Sequence, residues 1–191
     1  VAGAEGELNI NAGGVVDESI RLAGGTLATS GGELNINGPI HLADTSQIGP
    51  TSTVIVNGVI SGPAGFNFNG SPSRRTIVNG NNTYAGLTVI EHGRVDVNHA
   101  NALGNSTIGT EVEDGGELFL LTSVAEPITL RGGEVTFATV STAAGPITLE
   151  MGTLNLGRDG MLTTPVVLAN SGGDPVLAGD RTLFTGELTG G

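Results

Sequence analysis

One hexapeptide occurs twice in this chain. Gly6-Glu7-Leu8-Asn9-Ile10-Asn11 returns letter for letter as Gly32-Glu33-Leu34-Asn35-Ile36-Asn37. Looser copies follow as Gly116-Glu117-Leu118-Phe119-Leu120, Gly133-Glu134-Val135-Thr136-Phe137 and Gly152-Thr153-Leu154-Asn155-Leu156. A second motif precedes several of them: Ile20-Arg21-Leu22-Ala23-Gly24-Gly25, Ile128-Thr129-Leu130-Arg131-Gly132-Gly133 and Ile147-Thr148-Leu149-Glu150-Met151-Gly152. Self-similarity at a period of about 20 residues is the mark of a stacked repeat architecture. Apolar residues alternate within each copy, as in Leu8 and Ile10 or Ile128 and Leu130, so each copy is a strand with one buried face.

Strands this short do not pair stably alone. Stacked at about 4.8 Å, each covers the apolar face of the next. The sequence therefore predicts an all-β fold: a right-handed parallel β-helix, or β-solenoid, of roughly nine short coils and about 40 Å in length. It is expected as one segment over residues 1–191. A β-sandwich is the alternative, although it calls for longer strands and a core of larger side chains. Glycine and asparagine mark the corners, where positive φ is needed. Asn9 and Asn35 occupy matching places in the hexapeptide, as do Asn11 and Asn37. Two readings stand side by side: amide ladders along the stack, or simple tolerance of turn geometry. Val97 to Leu103 is the best helical stretch and is too short to stand alone.

Composition agrees with strands and turns. Of 191 residues 33 are glycine, aromatics are 3%, charged residues 14%, and cysteine and tryptophan are absent. A net charge of −12 argues against nucleic acid and against an anionic membrane surface. No apolar run is long enough to span a membrane as a helix. Without cysteine there is no disulfide, thiolate metal site or cysteine nucleophile.

A more specific signature lies between residues 76 and 104. Thr76-Ile77-Val78-Asn79-Gly80-Asn81-Asn82-Thr83-Tyr84-Ala85-Gly86-Leu87-Thr88-Val89-Ile90 leads through Glu91-His92-Gly93-Arg94-Val95-Asp96-Val97 to Asn101-Ala102-Leu103-Gly104. This resembles the autotransporter-associated β-strand repeat, a passenger-domain repeat of bacterial autotransporters and surface adhesins. Its Asn-Thr-Tyr and Ala-Leu-Gly elements fall at the expected separation. The lead-in departs from that pattern, and Phe66 to Arg75 is expected as a decorated loop. The resemblance implies a secreted protein, extracellular or at the cell surface, acting as a non-catalytic stalk, adhesin or fibre element. Its implied partners are other copies of itself or a host or cell-surface ligand, and a C-terminal translocator barrel is expected elsewhere in the parent chain. Val54 to Gly62 resembles Thr182 to Gly190, so a further unit is expected past Gly191 and the chain is read as part of a longer repetitive protein.

The rival function is a carbohydrate-active β-helix enzyme, a polysaccharide lyase or hydrolase, which needs two or three acids and a basic residue on adjacent coils. Glu111, Glu113, Asp114 and Glu117 form the densest acidic group. Flanking a Gly-Gly turn they read first as solvated acids; calcium is the next reading, since oxygen-rich turns suit a hard cation. The nine-residue glycine-aspartate calcium repeat is missing. His92 and His99 lack zinc-site spacing, and His41 alternates with Ile40 and Leu42, so it points outward. Tyr84 is expected to cap or pack within its coil. No catalytic or cofactor-binding residue is assigned. An ice-binding rank of outward threonines ranks last, because no Thr-x-Thr register persists.

Overall fold

The structure is a computed structural model. It describes residues 6–105, 107–138, 141–157, 161–162, 164–169, 176–179, 183–184 and 188–190. Among the described residues there is no helix, and every ladder between strands is parallel. Thr88 stands beside Thr110, Thr110 beside Ile128, and Ile128 beside Ile147, so one coil takes 18 to 22 residues. The chain is a parallel β-solenoid of about eight turns. Parallel stacking excludes the sandwich.

Each coil has three sides. The first side begins with strands Glu7–Ile10, Thr26–Thr29, Ser46–Pro50 and Phe66–Asn69. The second begins with Gly14–Val16, Leu34–Ile36, Val54–Val56 and Arg75–Val78. Three ten-residue strands, Thr88–Val97, Ile128–Phe137 and Ile147–Leu156, then run through the corner and serve both sides. They bend at Gly93, Gly132 and Gly152, whose φ values of 80°, 112° and 103° lie in a region open chiefly to glycine. The third side holds Ile20–Ala23, Ile40–Asp44 and Ile60–Ser61, and later Thr142–Ala143, Met161–Leu162 and Leu183–Phe184.

The core is a set of apolar columns parallel to the stack. On the first side Leu27, Ile48, Phe68, Ile90, Val112, Leu130 and Leu149 succeed one another in register. On the second side Ile36, Val56, Val78, Val97, Leu120, Phe137 and Leu156 do the same. All are buried. At roughly 1.5–3 kcal/mol per buried aliphatic side chain, these columns offset the ordering of many short strands.

Several expectations change. The two identical hexapeptides lie on different sides: Leu8 pairs with Leu27 on the first, whereas Leu34 pairs with Val54 on the second. Their 26-residue offset is one coil plus one side, so Asn9 and Asn35 are not equivalent, nor are Asn11 and Asn37. Ile20 likewise sits on the third side, while Ile128 and Ile147 sit on the first. Val54–Val56 is on the second side and Leu183–Phe184 on the third, so that longer similarity does not mark equivalent positions; Thr182 and residues 185–187 lie outside the described residues. Phe66–Asn69 is a core strand, its two phenylalanine rings edge-on at 5.0 Å, and only Gly70 to Arg74 forms a loop. Apolar alternation in Phe66-Asn67-Phe68 already carried that strand. Val97 ends a strand, and His99 to Gly104 is a turn closed by Ala102 N–H to His99 O and Gly104 N–H to Asn101 O.

An asparagine ladder does form, and of the four expected asparagines only Asn37 is seen in it. It runs along the corner between second and third sides. Asn37 donates from Nδ2 to Asp17 Oδ1, Asn57 to Asn37, Asn79 to Asn57, and Asn98 to Asn79, at 2.7 to 2.9 Å.

Candidate functional site

The residues of the family-like unit meet inside the solenoid. Between Ile60–Ser61 and the bridge Val124–Ala143 no strand forms the third side among the described residues, and side chains close the coil instead. Buried Asn82 accepts from Ile60 N–H at 2.7 Å and donates to Ala102 O at 2.6 Å. Thr88 Oγ1 donates to Leu103 O at 2.9 Å and lies 2.6 Å from the Tyr84 hydroxyl. A threonine hydroxyl has one proton, so Tyr84 is the donor in that pair. The Tyr84 ring is fully buried, as expected, edge-on to Phe66 at 6.4 Å. Burial pushes its phenol well above the ordinary range. Gly104 has φ 86°, and a Cβ there would meet the Tyr84 ring at 2.7 Å. Asn82, Tyr84, Thr88 and Ala102 to Gly104 are thus one internal knot.

A buried carboxyl lies one coil further. Glu126 is 1% exposed and accepts from Thr110 Oγ1 at 3.2 Å. Burial raises its pKa to about 7, against the lowering effect of that hydrogen bond. Nothing in the spacing around Ala125-Glu126-Pro127 marks it as buried, so sequence reasoning passed over it.

The four acidic candidates separate. Glu111 and Glu113 project from strand Thr110–Glu113 on the first side, where Arg131 of the next coil reaches both, at 2.5 and 3.9 Å. Arg131 also reaches Glu150, at 3.5 Å. Asp114 stands at the corner, its Cβ 3.0 Å from where a side chain at Gly132 would begin. Glu117 is on the second side, with Arg94 at 3.3 Å. Burial raises the Glu117 pKa, opposed by Arg94 and reinforced by Glu134 and Asp96. No group of three or more His, Cys, Asp or Glu residues among the described ones is placed to hold a metal ion. His41 and His92 are exposed, and half-buried His99 accepts from Asn101 N–H.

On the outer second side the stack places Arg75 beside Arg94 and Arg94 beside Glu117. Like charges on adjacent strands repel. Asp96, whose side chain is 4% exposed, lies between the two arginines and receives Arg75 at 3.3 Å and Arg94 at 2.5 Å. The Arg94 guanidinium also lies 3.8 Å from the Phe119 ring centroid, within cation–π range. Outward on the first side, Thr26, Gln47, Asn67, Val89, Glu111, Thr129 and Thr148 follow one another, so no flat rank of threonines runs along it.

No family model matches the chain, and neither the curated proteins nor the solved structures contain a match to it.

Proposed function

We propose that this chain is a non-catalytic structural segment of an exported bacterial surface protein, of the passenger or stalk type, serving adhesion or an extracellular fibre. The observation that supports this best is the knot of Asn82, Tyr84, Thr88 and Ala102 to Gly104. The residues that carry the resemblance to the autotransporter-associated repeat are spent on closing a coil, which is what a repeat unit of a scaffold requires. Its partners are then other copies of itself or a ligand at a cell surface, and its parent carries a translocator barrel. Protease treatment of intact cells producing the full-length parent tests the location. Loss of the segment from intact cells is expected; protection until lysis would refute the surface assignment.

A second reading, polysaccharide cleavage, has one observation in its favour: Arg131 sits among Glu111, Glu113 and Glu150 on neighbouring coils. The same ion pairs tie those carboxylates to the arginine, where a general acid and base need free, unequal pKa values. Incubation with acidic and neutral polysaccharides is expected to release no reducing or unsaturated ends. Cleavage that disappears in Glu111→Gln would establish the enzyme instead.

A further inference from the structure

The chain has seven basic residues against 19 acidic ones, and three of the seven gather at one corner. A hollow of about 480 Å³, with Glu33, Thr53 and Arg74 in its wall, adjoins one of about 250 Å³ lined by Thr53, Arg74, Arg75, Arg94 and Glu117. Thr53 and Arg74 belong to both, so the two form one groove along the stack. It crosses five coils, roughly 20 Å at 4.8 Å per coil.

The arginines are arranged for use from outside. Asp96 fixes Arg75 and Arg94 from beneath, and Phe119 supports Arg94. Arg74 makes no ion pair among the described residues and is exposed on the loop that the sequence inserts here. Held guanidiniums with outward N–H groups are suited to bidentate capture of a carboxylate. The groove is cationic at its middle only, for Glu33 stands toward one end and Glu117 toward the other. A polymer charged at every unit would meet those carboxylates and the −12 of the whole chain. Among the described residues no aromatic side chain lines it, so neither bases nor sugar faces stack there and its contacts are polar and ionic.

We propose that this groove binds an acidic glycan in which one carboxylated sugar is flanked by neutral ones. Arg74 and Arg75 take the carboxylate, and Glu33 and Glu117 accept from hydroxyls of the flanking sugars. The inference rests on the groove and not on the export reading, so either can fail alone.

Calorimetric titration of the purified chain tests it with four probes: an oligosaccharide holding one internal uronic acid, the same oligosaccharide with that carboxyl reduced to the alcohol, inorganic sulfate, and a single-stranded oligonucleotide. The acidic oligosaccharide is expected to bind at least ten-fold more tightly than its reduced form. Arg74→Ala, which breaks no ion pair, is expected to weaken it by a similar factor with thermal unfolding unchanged. Equal binding of the reduced form, full binding by Arg74→Ala, or no binding of the acidic form would overturn the proposal. Tighter binding of the oligonucleotide, or sulfate binding as well as the glycan (an adventitious ion only), would overturn it too.

Discussion

Two interior residues carry most of the chemistry that alternation alone does not explain. Glu126 is a carboxyl placed where water does not reach, and its pKa rises from 4.5 to about 7. The folded state therefore holds its proton more tightly than the unfolded state does. Stability falls as pH rises from about 4.5 to about 7 and is flat in this respect above that. The loss approaches about 3 kcal/mol at 1.36 kcal/mol per unit of pKa. Glu126→Gln keeps an acceptor for Thr110 and removes the charge, so denaturation midpoints above pH 7 are expected to rise and the slope between pH 4.5 and 7 to flatten. An unchanged slope would show that Glu126 does not titrate there. Gly104→Ala meets both a positive φ and the Tyr84 ring, and a loss of about 1–3 kcal/mol is expected in urea unfolding. Tyr84→Phe keeps the ring and leaves Thr88 bonded to Leu103 O, so about 1 kcal/mol is expected.

At the scale of the coil, strands were legible and sides were not. Alternation in Leu34-Asn35-Ile36 or Ile128-Thr129-Leu130 states that a strand has one buried face, and every such segment is a strand. Nothing in Gly-Glu-Leu-Asn-Ile-Asn states which side of a three-sided coil it occupies, because each side faces the same kind of apolar interior. That is why identical hexapeptides stand on different sides. The knot was legible only as a resemblance, since Asn82 and Ala102 meet across a whole coil. The arginine groove was not legible, because Arg74, Arg94 and Thr53 come together only through the stacking. A ladder was one of two open readings of the asparagines, and of the residues named for it only Asn37 takes part. The ladder's amides all donate toward the N-terminal end, and the residue at that end, Asp17, accepts without needing to donate. Asn98→Asp loses the donor at the opposite end and is expected to cost about 1 kcal/mol. Asp17→Asn is expected to stay within about 0.5 kcal/mol. Chemical denaturation of the two variants checks the order; equal losses would mean that the ladder has no direction.

Across the whole molecule each coil touches chiefly its two neighbours, so stability is a sum of short-range terms along one axis. The apolar columns, the internal knot and the arginine groove all depend on register: which residue lies beside which, one coil on. The chain has no cysteine, which makes register directly measurable. Thr129 and Thr148 are outward neighbours on adjacent parallel strands, about 4.8 Å apart and inside the range a disulfide spans. Asn9 and Asn35 are matched by the hexapeptide but lie on different sides. The decisive measurement is oxidative crosslinking of two double variants, Thr129→Cys with Thr148→Cys and Asn9→Cys with Asn35→Cys. The first pair is expected to close rapidly with the fold intact, and the second to remain as free thiols. Closure of the second pair without the first would contradict the stacking described here.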